Sequence, residues 1–208
     1  MARYIGPVCR QCRREQTKLF LKGEKCHTKC ILESRPTPPG FAKPQRGKPS
    51  EYAVRLREKQ KLRRRIALTE TPFKRLVAKV SRTKAKTAEV LLSALEMRLD
   101  NIVRRLGFAT SLRTARQLVL HGHVRVDGKG INIASYQVKV GQVVSLDPKL
   151  KENVGVKLSM DHATRKSSRP SFLEYDEAQL SGKLLREPSR EETSFKVDDQ
   201  LIVEYYSR

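Results

Sequence analysis

Residues 97–129 read MRLDNIVRRLGFATSLRTARQLVLHGHVRVDGK, and the change of periodicity within them decides the fold. Leu91, Leu95, Leu99, Ile102 and Leu106 recur at spacings of three and four, the apolar stripe of one core-facing helix running into this stretch. Gly107 ends that helix, because glycine accepts the left-handed backbone that a helix C-terminus favours. Ser111 is a ready N-cap for a second helix, and Gly122 stops it. His123 to Val126 alternates outward and inward, and Asp127-Gly128 is a strong hairpin signal. The order is helix, loop, helix, hairpin.

The polar side of the second helix carries Arg113, Arg116, Gln117 and His121, and His123 and Arg125 continue it into the hairpin. The first helix adds Arg98, Arg104 and Arg105. A compact helix pair with arginines at fixed offsets suits reading the shape and phosphates of folded RNA. The plainer alternative is a solvated basic face. RLDNIVRRLGF and ARQLVLHGHVRVDGK resemble the RNA-binding module named after the bacterial-type uS4 family of small-subunit ribosomal proteins. Unrelated proteins share that module, so by itself it names no function.

The formal net charge of +22 is extreme for 208 residues. Residues 1–66 carry +14, residues 67–169 carry +12 and residues 170–208 carry −4. Self-repulsion on that scale points to a polyanionic partner for the first two-thirds, with the acidic end facing solvent or a protein. No long apolar run, signal peptide or lipidation motif is visible, so a cytosolic protein without a membrane partner is expected.

All four cysteines lie in the first thirty residues, as Cys9-x2-Cys12 and Cys26-x3-Cys30 with thirteen residues between the pairs. Two short-spaced thiol pairs separated by a loop can complete a tetrahedral zinc shell, and a cytosolic compartment disfavours disulfides. One structural zinc is therefore expected, with His27 a bystander. Arg10, Arg13, Arg14, Lys22, Lys25 and Lys29 surround the knuckle. MARYIGPVCRQCRRE and LFLKGEKC resemble the start of the zinc-containing form of the uS4 family. Residues 34–50 hold five prolines and two glycines among Arg35, Lys43, Arg46 and Lys48, which reads as an extended arm or tether. Family members usually follow PPG with a glutamine-histidine-glycine turn, whereas this chain has Phe41-Ala42-Lys43.

Ser50 caps a helix over 51–66 whose Tyr52, Leu56, Leu62 and Ile66 share one sector. Arg55, Arg57, Lys59, Lys61, Arg63, Arg64 and Arg65 put seven cations on eleven residues, which makes sense if RNA meets the helix on more than one side. LREKQKLRR also resembles the family. A further helix follows, capped by Thr69 or Thr71, with Phe73, Leu76, Val77 and Val80 inward. Beyond the hairpin, short strands are expected at 131–133, 136–138 and 143–146. Residues 147–170 show little periodicity and end in an exposed basic loop, with His162 on the surface. The terminal LIVEYY looks like a strand.

These patterns predict an α+β chain: a mainly helical first domain with an N-terminal zinc knuckle, plus a small α/β RNA-binding domain of a helix pair on a short-stranded sheet. The expected divisions are 1–48 for the knuckle and arm, 49–96 for a helical domain completed by about 190–208, and 97–189 for the module with its extension. No nucleophile elbow, phosphate loop or zincin motif occurs, so an enzyme is not expected; an accessory to an RNA-modifying enzyme and a zinc-dependent nucleic-acid-binding regulator are the alternatives. The resemblance implies a constituent of the small ribosomal subunit, a monomer within the ribosome, that nucleates assembly at a multi-helix rRNA junction. It further implies contact with uS5 and uS3, a place beside messenger RNA on its way into the subunit, and an influence on decoding accuracy. Arg3 joins the cations above as an RNA-facing residue.

Overall fold

The computed structural model describes residues 4–40, 48–83, 86–165, 169–194 and 196–207. In chain order its helices are α1 (Cys9–Glu15), α2 (Lys25–Thr28), α3 (Ile31–Ser34), α4 (Glu51–Arg65), α5 (Glu70–Val80), α6 (Thr87–Glu96), α7 (Leu99–Arg105), α8 (Leu112–Leu120), α9 (Val154–Arg165) and α10 (Asp199–Tyr206). The strands are β1 (Val124–Val126), β2 (Lys129–Gly130), β3 (Val143–Leu146), β4 (Leu173–Asp176) and β5 (Ser181–Leu184). They group into two compact units, Met1–Leu91 with Phe195–Arg208, and Leu92–Ser194. Among the described residues no helix is long and apolar enough to cross a membrane.

In the first unit the Ser50 hydroxyl accepts the Ala53 N–H at 3.3 Å and starts α4, as its sequence suggested. Leu62 and Ile66 are buried, but Tyr52 is 59% exposed and leaves the expected apolar sector. Thr69 precedes α5, whose Phe73, Val77 and Val80 point inward. The LIVEYY segment is a helix, not a strand. Asp198 accepts the Leu201 N–H at 3.3 Å and so caps α10. Helical spacing then gathers Ile202, Tyr205 and Tyr206 on one side, where Tyr205 meets Tyr52 and Tyr206 meets Phe73. A cap and a packing face outweigh the β preference of the letters.

In the second unit the five strands form one antiparallel sheet, ordered β2-β1-β3-β5-β4. Val124, Val126, Val144, Leu146 and Leu184 join Ile102, Leu106, Ala115 and Val119 of α7 and α8 in one core. The expected single stripe from Leu91 to Leu106 is interrupted at Met97 and Arg98. Leu99 N–H donates to Tyr136 O at 2.8 Å and Val138 N–H to Met97 O at 2.9 Å, so residues 136–138 claim the backbone that a continuous helix would use. The strands expected at 131–133 and 136–138 reduce to one bridge between Arg98 and Gln137; Ile133 is 57% exposed. Gly107, at φ +93°, leaves α7 as read from the sequence, and a Cβ there would lie 2.5 Å from the Ala163 Cβ.

Residues 154–165 are helical, where little periodicity was read and the exposed basic loop was expected from residue 161. Asn153 Oδ1 accepts the Gly155 and Val156 N–H groups at 2.9 and 3.3 Å. The buried side of α9 is Val156, Ser159 and Ala163, while Val154 and Leu158 are exposed. Ser159 and Ala163 among the inward residues, with Val154 and Leu158 outward, hide the helix from a periodicity reading. His162 is half-buried on it rather than on the open surface. Strands β4 and β5, absent from the expected set, extend the sheet beyond β3.

Candidate nucleic-acid interface

The N-terminal knuckle is assembled from short helices. α1 holds Cys9 and Cys12 one turn apart, α2 holds Cys26, and Cys30 precedes α3. None of the four forms a disulfide. Among the described residues no three His, Cys, Asp or Glu groups converge into a ready metal-ligating set. All four thiols nevertheless line one cavity of about 20 Å³ together with Lys22, Lys25 and Lys29, room for an occupant the size of one water. Burial pushes the Cys12 thiol up against a hydrogen bond from the Leu19 backbone, and the nearby Cys26, Cys9 and Cys30 thiols add to the rise. The Lys22 N–H donates to Cys26 Sγ at 3.3 Å. This donor set fits a four-coordinate zinc ion. His27 stacks on Phe20 at 4.9 Å between centroids, and its ring is exposed.

Around the knuckle, Arg10, Arg14, Lys22, Arg35 and Lys48 are exposed. Arg13 instead donates to Thr37 O at 2.8 Å, and Gln16 to Pro36 O at 2.7 Å, so the start of the proline-rich segment is tied to α1. Arg3, Lys43 and Arg46 lie outside the described residues.

The cations of α4 were expected to need RNA for charge relief. Protein groups supply much of it. Arg64 and Arg57 converge on the buried Glu15 carboxylate, Lys61 pairs with Glu58, and Arg55 pairs with Glu51 and Glu204. Arg63 lies 3.5 Å from Glu70, and Arg65 donates to Leu19 O at 3.0 Å. Lys59 is 3% exposed and donates to Glu70 at 2.8 Å. Burial pushes the Glu15 carboxyl up against the pull of Arg64 and Arg57, and burial likewise lowers Arg64. The contact that joins α1 to α4 therefore costs desolvation on both sides.

A cavity of about 510 Å³ opens beside this helix, lined by Tyr52, Arg55, Glu70, Lys74, Tyr205 and Tyr206. Sequence reasoning missed it, because its residues come from three elements and the terminal tyrosines were read as strand. Tyr206 OH donates to Glu70 at 2.7 Å. Burial raises the Glu70 carboxyl, but the hydrogen bonds from Lys59 and Tyr206 outweigh it and hold the group below its ordinary range. Burial and the bond to Glu70 push the Tyr206 hydroxyl far up.

In the second unit the expected arginines divide. Arg98 is 7% exposed and holds the fully buried Asp100 through two bonds of 3.1 and 3.0 Å. Arg116 grips the same carboxylate at 2.6 Å. Arg104 bonds to Asn101 and Ser194, and Arg105 forms an ion pair with Glu96 at 3.4 Å and donates to the Glu192 carbonyl. These four arginines brace the unit instead of presenting an open contact face. Of the remaining residues, Gln117, His121 and Arg125 are exposed and Arg113 and His123 are half-buried: Arg113, Gln117 and His121 succeed one another at spacings of four along α8 and its C-cap, His121 lies 6.1 Å from His123, and Arg125 projects from β1 between two buried valines. Asp147 faces Arg125 at 3.4 Å.

A helix pair on an antiparallel sheet, with one outward basic stripe and a second basic helical unit, defines an RNA-binding protein. Sequence comparison gives the same class: residues 3–96 match the model described as "Ribosomal protein S4/S9 N-terminal domain", and residues 97–144 match the "S4 domain". The chain is 50% identical to small ribosomal subunit protein uS4A of Symbiobacterium thermophilum, 47% to uS4 of Thermus thermophilus and 49% to uS4 of Acidobacterium capsulatum. Each alignment covers 100% of both chains. The chain belongs to the uS4 family of small ribosomal subunit proteins.

Proposed function

We propose that this chain is a structural constituent of the small ribosomal subunit and binds its rRNA through both basic units. The observation that carries the reading is the full-length correspondence, at 47–50% identity, to proteins named for that subunit. The charge of +22 and the outward stripe on α8 and β1 support it, since phosphate contacts dominate such binding. The protein works in the cytoplasmic ribosome as a monomer and nucleates assembly at a multi-helix rRNA junction. Its neighbours there are uS5 and uS3, with messenger RNA passing close by, and through them it influences decoding accuracy. Cys9, Cys12, Cys26 and Cys30 hold one zinc ion, which cross-links a segment too short to build a core of its own.

The test is a salt-titrated binding series of the full chain on small-subunit rRNA and on duplex DNA of equal length. Tighter binding to the rRNA at physiological salt is expected. Equal affinity would favour a general nucleic-acid-binding regulator and sink the ribosomal reading.

A further inference from the structure

We propose that the cavity between α4, α5 and α10 is a base-binding pocket that receives one unstacked guanine of the rRNA. This rests on the rRNA-binding reading and adds a specific subsite to it. Tyr52 and Tyr205, with ring centroids 5.8 Å apart and planes inclined by 36°, form an aromatic wall, and Tyr52 is 59% exposed and open to stacking. At about 510 Å³ the cavity lies within the range of roughly 300–1,000 Å³ typical of small-ligand pockets. RNA-binding proteins commonly stack splayed bases on aromatic faces and read their edges with polar groups.

The polar groups choose the base. Glu70 Oε1 already accepts from Lys59 and Tyr206 and Oε2 lies 3.5 Å from Arg63 Nε, while the carboxylate as a whole is 43% exposed and its oxygens keep lone pairs for a further donor. An ionised carboxylate can only accept, so it suits a base edge that only donates. Guanine presents N1–H and N2–H2 side by side, whereas adenine and cytosine each place a single amino donor beside an acceptor. Arg55 is committed to Glu51 and Glu204, which leaves the exposed Lys74 at the cavity rim as the cation for the adjoining phosphate. Arg75 and Lys79 of α5 and Lys48 before α4 are exposed as well, so the surroundings favour a nucleic acid over a basic protein side chain.

The experiment is kethoxal footprinting, which marks N1 and N2 of unpaired guanines, with the full chain bound at saturation to small-subunit rRNA. The wild type should protect at least one guanine whose reactivity returns with Tyr52→Ala while the other protections persist. Affinity should fall about tenfold with Tyr52→Ala and be kept by Tyr52→Phe. The exposure of Tyr52 makes its truncation mild for folding, and circular dichroism checks that. An unchanged footprint and affinity in Tyr52→Ala would overturn the pocket, as would uniform loss of every protection at saturation from a folded variant. Absence of any wild-type footprint would overturn the rRNA reading itself.

Discussion

Asp100 looks like a stray acid in a basic stretch, yet three elements depend on it. It lies in the first turn of α7, and its carboxylate holds Arg98 at the break after α6 and Arg116 on α8. Asp100→Ala leaves the buried Arg98 without its counter-ion, so a loss of about 3–5 kcal/mol is expected in chemical denaturation. A loss below about 1 kcal/mol would show that water or another carboxylate replaces it. Glu192 makes a prediction of opposite exposure. Bonds from Arg186 first, then Ser171 and Ser189, hold its carboxyl far below the ordinary range. A depressed folded pKa stabilises above the unfolded value of about 4.3 and loses that contribution as pH falls through the folded pKa. Glu192→Gln should therefore lower stability at pH 7 and weaken its dependence on pH between about 5 and 2, measured by denaturant midpoints. Parallel curves for variant and wild type would contradict this.

At the scale of elements, signals contained within a few residues were legible. The Ser111 hydroxyl accepts the Thr114 N–H at 3.2 Å, and Asp127 and Gly128 both take the positive φ that a tight hairpin demands. What failed was decided by partners distant in sequence. A helix through Met97 was locally reasonable until residues 136–138 took its hydrogen bonds. α9 has no apolar stripe of ordinary size, because its inner side must approach Gly107. β5 makes a similar demand: a Cβ on Gly182 would overlap the Leu106 side chain and come within 3.0 Å of Glu174 O. Gly182→Ala should cost about 1–3 kcal/mol by overpacking. Restoration by a simultaneous Leu106→Val change would identify that clash as the cause.

Across the whole molecule, the division of arginines separates binding from stability. Alanine at Arg113, His121 and Arg125 together should weaken rRNA binding and flatten its salt dependence, and should move the denaturation midpoint less than loss of Arg116 does. Arg116→Ala should instead destabilise the second unit, because Arg116 serves Asp100. If the triple variant bound normally with an unchanged slope, that stripe would not be a contact face. The knuckle makes its own prediction. Native mass spectrometry should find one zinc per chain, and chelation should release it together with the protection of the Cys12 and Cys26 thiols from alkylation. A metal-free chain with equally protected thiols would mean that the apolar cluster of Val8, Cys12, Leu19 and Leu21 holds the segment alone.

The sequence by itself determined the chemistry class, the central helix pair, its hairpin and the grouping of thiols, because charge, caps, glycines and short spacings act locally. It also carried the family in recognisable strings. Tertiary structure alone decided which cations remain outward. Arg64 meets Glu15 and Arg55 meets Glu204 only after folding brings 49 and 149 residues of separation together. It also turned the terminal LIVEYY into a helix, since side-chain burial against α4 outweighs the intrinsic preference of those residues for a strand.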